Sequence, residues 1–258
     1  MAFSSSVAGN TGPLMVLPYT LIQEHAPQLG LVVLQTDETI EQDMRQLLPP
    51  DVEFLVSRVP SGAVLSTDMI AEMEDKLTGA ARLFPQNLKF AATAYGCTSA
   101  SAQIGPQRVA QLLGAGAQTA HVTEPVSALI AACRALSVHR LGLISPYVAA
   151  ISDRLRAVLK EESIEVTQFD SFEEPIEANV VRISPEALQD AALGMGALPA
   201  VDAVFLSCTN LRTLGIIDAI ERKIDKPVLS SNQVLAWHLL RLSDIPARPD
   251  APGRLWRV

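Results

Sequence analysis

Cysteine is scarce here: three residues in a chain of 258. An odd, small number argues against a disulfide framework and for free thiols in a reducing compartment. Lys and Arg total 20 against 28 Asp and Glu, for a net charge of −8, and no basic cluster is present. That pattern argues against a nucleic-acid partner and against an anionic membrane surface. No apolar run reaches membrane-spanning length. Residues 1–29 lack a basic n-region, and Pro13 and Pro18 interrupt their apolar stretch, so no secretory leader is expected and the cytoplasm is the default location. The four histidines (His25, His121, His139, His238) share no metal-ligand spacing. No glycine-rich phosphate loop, dinucleotide fingerprint or Gly-x-Ser-x-Gly elbow follows a strand. No lysine context singles out a Schiff base. The expected chemistry therefore uses neither metal nor organic cofactor.

What the chain has is alternation. Short apolar runs at Gly30–Gln35, Glu53–Val59, Lys89–Tyr95, Thr119–Thr123, Leu141–Ser145, Glu165–Phe169, Ala203–Ser207 and Pro227–Ser230 read as strands. Helical stretches follow them at Thr39–Leu48, Asp68–Leu83, Ser101–Leu113, Val126–Leu136, Ala149–Glu162, Pro185–Leu193, Thr213–Lys223 and Gln233–Leu242. Strands alternating with helices predict an α/β fold with parallel sheets. The two halves also repeat. Leu31–Gln35 matches Leu141–Ser145 at an offset of 110, Cys97-Thr98 matches Cys208-Thr209 at 111, and Thr123–Val126 matches Ser231–Val234 at 108. Two copies predict pseudo-symmetric halves rather than a solenoid. The expected division is an extension over 1–28, a first half over 29–124 plus 232–258, and a second half over 125–231. An apolar patch at Leu14–Leu21 would cover a sheet edge or a subunit contact, and a homo-oligomer is expected. Residues 243–258 read as an irregular tail.

Cys97 and Cys208 each stand where a strand ends and a polar, helix-starting turn begins. That is where open α/β sheets place ligands, and the amides of a following helix favour a thiolate. Thr98 and Ser99 follow the first thiol, Thr209 and Asn210 the second, offering hydroxyls and amides to a carboxylate. Thr36 and Asp37 follow the first strand. Asp37 is read as a helix cap, as a partner for a nearby thiol or as a seat for a substrate ammonium. Tyr147 follows the matching strand of the second half, and its hydroxyl would reach a carboxylate. Asn179 is ambiguous from spacing alone. Ser230-Ser231-Asn232 end the last strand as cap or site neighbours. Cys133, in an apolar helix, reads as core.

The stretches Gly30-Leu-Val-Val-Leu-Gln-Thr-Asp37-Glu-Thr-Ile-Glu41, Tyr95-Gly-Cys97-Thr-Ser, Ile144-Ser-Pro-Tyr147, Asn179-Val-Val-Arg-Ile-Ser-Pro185 and Leu206-Ser-Cys208-Thr resemble the Asp/Glu racemase superfamily. The match is to the branch of maleate cis-trans isomerases, arylmalonate decarboxylases and ectoine-utilisation proteins, over roughly residues 30–245. The resemblance implies two α/β halves with the site between them, Cys97 and Cys208 as the catalytic pair, and Tyr147 and Asn179 as substrate-binding residues. Two departures stand out. Maleate isomerases carry Asn where this chain has Asp37, and a carboxylate there repels a dianion unless protonated or paired. Arylmalonate decarboxylases have Gly in place of Cys97, so two thiols argue against decarboxylation. The leading expectation is a cofactor-independent racemase or epimerase of a small carboxylate, an acidic amino acid or derivative, with one thiol on each face. The alternative is maleate-type isomerisation through covalent addition of Cys97. A two-lobed metabolite-binding protein without turnover is the third reading.

Overall fold

In the computed structural model, residues 16–22, 26–64 and 66–258 are described. The first sheet is formed by β1 (Gln28–Leu34), β2 (Glu53–Val59), β3 (Phe90–Gly96) and β4 (Thr119–Thr123), in the order β2-β1-β3-β4. The second is formed by β5 (Arg140–Ser145), β6 (Glu165–Ser171), β7 (Ala203–Leu206) and β8 (Val228–Ser230), in the order β6-β5-β7-β8. Every pairing within the two sheets is parallel. The strand order of the second sheet thus repeats that of the first, as the constant offsets in sequence predict. In both sheets the two central strands are buried, β1 along its whole length. Layers on both faces explain why these strands read as continuous apolar runs without polar alternation.

The helices are α1 (Ile40–Leu47), α2 (Thr67–Ala81), α3 (Thr98–Ile104), α4 (Pro106–Gly114), α5 (Pro125–Ala135), α6 (Ala149–Glu161), α7 (Glu177–Val180), α8 (Pro185–Gly196), α9 (Ile217–Ile224) and α10 (Ser231–Leu242). The single helix predicted over Ser101–Leu113 is two. Gly105 adopts φ +92°, open to glycine, and Pro106 starts the next helix where its missing N–H costs nothing. α3 also begins earlier than predicted, immediately after Cys97. The short α7 has no counterpart among the predicted helices. The tail predicted as irregular holds a 3-10 turn at Arg254–Arg257, tied down by Glu221, whose carboxylate accepts the Arg254 amide at 2.9 Å. α10 lies against α5, β3 and α1.

Leu14 and Met15 of the predicted apolar patch lie outside the described residues. Val16, Leu17, Tyr19, Leu21 and Ile22 are exposed, so they do not pack on a sheet edge of this chain. Among the described residues no helix is long and apolar enough to cross a membrane.

Gly96 precedes Cys97 with φ outside the left-handed region. A Cβ there would meet the Ile40 Cδ1 at 2.8 Å and the Leu31 Cδ1 at 3.3 Å, so its bareness lets α1 close onto β3 just before Cys97.

Candidate active site

The carboxyl ends of β1 and β3 face those of β5 and β7, which are the central strands of each sheet. Asp37 follows β1, Cys97 follows β3, Tyr147 follows β5 and Cys208 follows β7. Strand order reverses between the central strands, and open α/β sheets bind ligands at that position. One pocket gathers Thr36, Asp37, Cys97, Thr98 and Ser99 from the first half with Tyr147, Cys208, Thr209 and Asn210 from the second. Leu34 and Glu177 complete its lining. The space left is about 10 Å³, room for about one water. The walls are therefore closed, and a small organic acid enters only when they part.

The local chain explains each position. Asp37 caps α1, with its Oδ1 accepting the amides of Thr39 and Ile40, each at 2.8 Å. The capping role read from sequence and the pocket position coexist. Asn210 is a strut between the halves. Its Oδ1 accepts the Glu38 amide at 2.9 Å and its carbonyl accepts the Thr39 hydroxyl at 3.1 Å. Thr209 leans the same way, its hydroxyl donating to the Gly96 carbonyl at 3.4 Å. Thr98 donates to the Ser231 hydroxyl at 2.8 Å. Ser230, Ser231 and Asn232 support the pocket from behind. Ser230 forms a capping box with Gln233 at the start of α10, and Asn232 donates to the Thr209 carbonyl at 2.8 Å.

Four residues close a ring around the second thiol. The Tyr147 hydroxyl lies 3.2 Å from the Cys208 Sγ and donates to the Glu177 Oε1 at 2.7 Å. The Asn210 Nδ2 donates to the Glu177 Oε2 at 3.3 Å, and the Asn210 amide donates to the Cys208 Sγ at 3.3 Å. Glu177 is the residue that sequence reading missed. It is 3% exposed and stands at the first position of α7, where an acid ordinarily complements the helix dipole at a surface. Its neighbour Asn179, which the resemblance offered for substrate binding, does not line the pocket. Asn179 is exposed and donates to the Glu174 Oε2 at 3.2 Å. Glu177 is held in place by a crossing of the halves: Val64 and Ile176 form an antiparallel bridge, and the Glu177 amide donates to the Ala63 carbonyl at 3.0 Å.

Burial dominates the electrostatics. It pushes the Cys97 thiol up to about 12, although the amides of Ala100 and Ser99 pull the other way. Glu177 and Asp37 add to the rise. Cys208 is likewise raised by burial and then by Glu177, against the Tyr147 and Asn210 bonds. The low-pKa thiol expected from helix amides alone is thus not what this closed pocket provides. Removing a charge from water outweighs amide dipoles that contribute about 0.3–1 kcal/mol. Burial also raises Asp37 and Glu177, each partly offset by its donors. Cys133 is fully buried on α5, consistent with a core role.

Behind the pocket, Asp43 is raised from 3.8 to about 7, first by burial and also by Asp37, while the bond from Asn232 (2.7 Å) lowers it. The folded state therefore holds this proton more tightly than the unfolded chain does. The resulting stability is complete below about pH 3.8 and is lost as pH rises through about 7. Asp43→Asn is expected to flatten the dependence of Tm on pH over that interval and to raise Tm at pH 8. The difference is on the order of a few kcal/mol, read by calorimetry. An unchanged slope contradicts it.

Among the described residues no three His, Cys, Asp or Glu groups are placed to hold a metal ion.

Comparison with known proteins places these residues in a context. The arylmalonate decarboxylase family matches residues 29–256. The maleate isomerase of Nocardia farcinica (strain IFM 10152) is 28% identical over 248 residues, 89% of this chain and 95% of that protein. The arylmalonate decarboxylase of Bordetella bronchiseptica is 30% identical over 239 residues, 91% of this chain and 98% of that protein. Among solved structures, a cysteine-to-serine variant of the Nocardia farcinica maleate cis-trans isomerase, with a covalently bound succinylcysteine intermediate, superposes with a TM-score of 0.80. It is 28% identical, covering 90% of this chain and 98% of that one.

Proposed function

Because the chain belongs to the arylmalonate decarboxylase family, within the Asp/Glu racemase-like superfamily, and carries both thiols in one pocket, we propose that it is a cofactor-independent cis-trans isomerase of a small unsaturated carboxylate. The relatives named above are maleate isomerases and an arylmalonate decarboxylase. They favour the covalent isomerase alternative over the amino-acid racemase that is the leading expectation from sequence. The observation that carries the proposal is the placement of Cys97 and Cys208 in the lining of a single closed cleft.

The sequence of bonds is as follows. Cys97 gives its proton to Asp37 and adds as thiolate to one carbon of the double bond, forming a C–S bond. The Cys208 S–H delivers a proton to the adjacent carbon, forming a C–H bond. The former double bond is now single and rotates. Cys208 thiolate removes a proton from that carbon, the electron pair restores the double bond, and the C–S bond breaks to return Cys97 thiolate. Atoms and charge balance, and nothing is oxidised. Asp37 is required as base because burial holds the Cys97 thiol high. Negative charge that develops on the substrate carboxylate is met by the hydroxyl of Ser99, which lines the same space.

The proposal is tested by proton NMR of purified protein with cis and trans acids, maleate and its monoamide among them. Interconversion supports it. Exchange of an α-proton in D- or L-amino acids without interconversion favours the racemase, and binding without any turnover favours a metabolite-binding protein.

Tyr147 links Cys208 to Glu177. Tyr147→Phe removes a hydroxyl bonded to a carboxylate, a contact of about 1.5–3 kcal/mol, so kcat/KM is expected to fall about 10- to 100-fold. The rate at which Cys97 reacts with iodoacetamide should stay unchanged. A variant with full turnover contradicts this role.

A further inference from the structure

The charge of the cleft limits what it takes. Two of its lining residues, Asp37 and Glu177, are carboxylic acids, and none is Lys, Arg or His. The Arg58 guanidinium, whose charge acts on Asp37, is committed elsewhere. Arg58 donates to the carbonyls of Leu34 (3.0 Å), Gln35 (3.2 Å) and Asp37 (3.0 Å) and pairs with Glu41. Both acids are surrounded by donors: Tyr147 and Asn210 for Glu177, two amides for Asp37. Those donors favour the ionised form of each acid, against the burial that raises both. Moving the Cys97 proton to Asp37 leaves the total charge of the cleft unchanged. A substrate with two carboxylates would bring two more negative charges into a closed space without a cation.

We propose that Glu177, with Asp37, makes this cleft selective for a monoanion: an unsaturated acid with a carboxylate at one end and a neutral hydrogen-bond-donating group, a primary amide, at the other. This rests on the reading above that the cleft is the substrate site. The donor end faces the Glu177 side, where a carboxylate accepts its N–H groups. The carboxylate end faces the hydroxyl of Ser99. Glu177 is then the residue that sets specificity, and Asp37 reinforces it.

The test uses maleamate, the cis monoamide, against maleate, its dianionic counterpart of nearly equal size. Calorimetry on Cys97→Ser measures binding without chemistry, and wild-type protein gives kcat/KM for both. Maleamate is expected to bind at least tenfold more tightly. Glu177→Gln and Asp37→Asn, tested separately so that a folding failure in one leaves the other, are each expected to move that ratio at least fivefold toward maleate. Equal or tighter binding of maleate overturns the inference, as does binding of neither acid or a ratio unmoved in both folded variants. A monoamide preference in binding without any isomerisation would leave selectivity standing and overturn the addition mechanism instead.

Discussion

Cys97→Ser is expected to reduce isomerisation by about 10³-fold or more in kcat, the scale seen when an attacking nucleophile is removed. The reason is chemical. A serine hydroxyl in the same buried position is far harder to ionise than a thiol, and burial already holds the thiol near 12. The fold should survive, because serine is close to cysteine in size and the amides of Ser99 and Ala100 face the same position. Circular dichroism and Tm close to wild type, with turnover lost, are the expected pair of results. More than a tenth of wild-type turnover would mean that Cys97 is not the attacking group.

Cys208→Ser is expected to cost about 10²-fold or more in kcat, from loss of a proton donor and acceptor, and the loss should be of a different kind. Attack by Cys97 does not need the second thiol, so binding and the first bond-forming step persist while completion of the cycle slows. In steady state KM changes little or falls and kcat drops. The ring of Tyr147, Glu177 and Asn210 retains a hydroxyl to bond at position 208, so the surrounding geometry is kept. A Cys208→Ser protein with wild-type kcat would leave the second thiol without a chemical role.

Much of this was legible in the sequence because it is local. The central strands are apolar runs bounded by polar turns, and all eight strands form within about two residues of where the pattern places them. The break at Gly105-Pro106 is local too, but the apolar period runs through it and hides it. Cys97 and Cys208 were legible because the same strand-end context occurs twice at a constant spacing. Glu177 was not, because its place is set by contacts far away in the chain. The Val64–Ile176 bridge and the Ala63 carbonyl fix α7 over the cleft, and a four-residue helix has no period of its own to read. Asn179, two residues on, carried the resemblance but faces solvent. The height of the thiol pKa values was equally hidden, since it depends on how closely the two halves shut around the sulfur atoms.

The most direct measurement is mass spectrometry of Cys208→Ser after incubation with the cis acid, followed by peptide mapping. The account predicts a gain of one whole acid on the peptide containing Cys97, its adjacent carbon protonated by solvent in place of Cys208, that disappears when Cys97 is also replaced. No adduct, or an adduct on Cys133 alone, would contradict covalent addition by Cys97 across a cleft shared with Cys208.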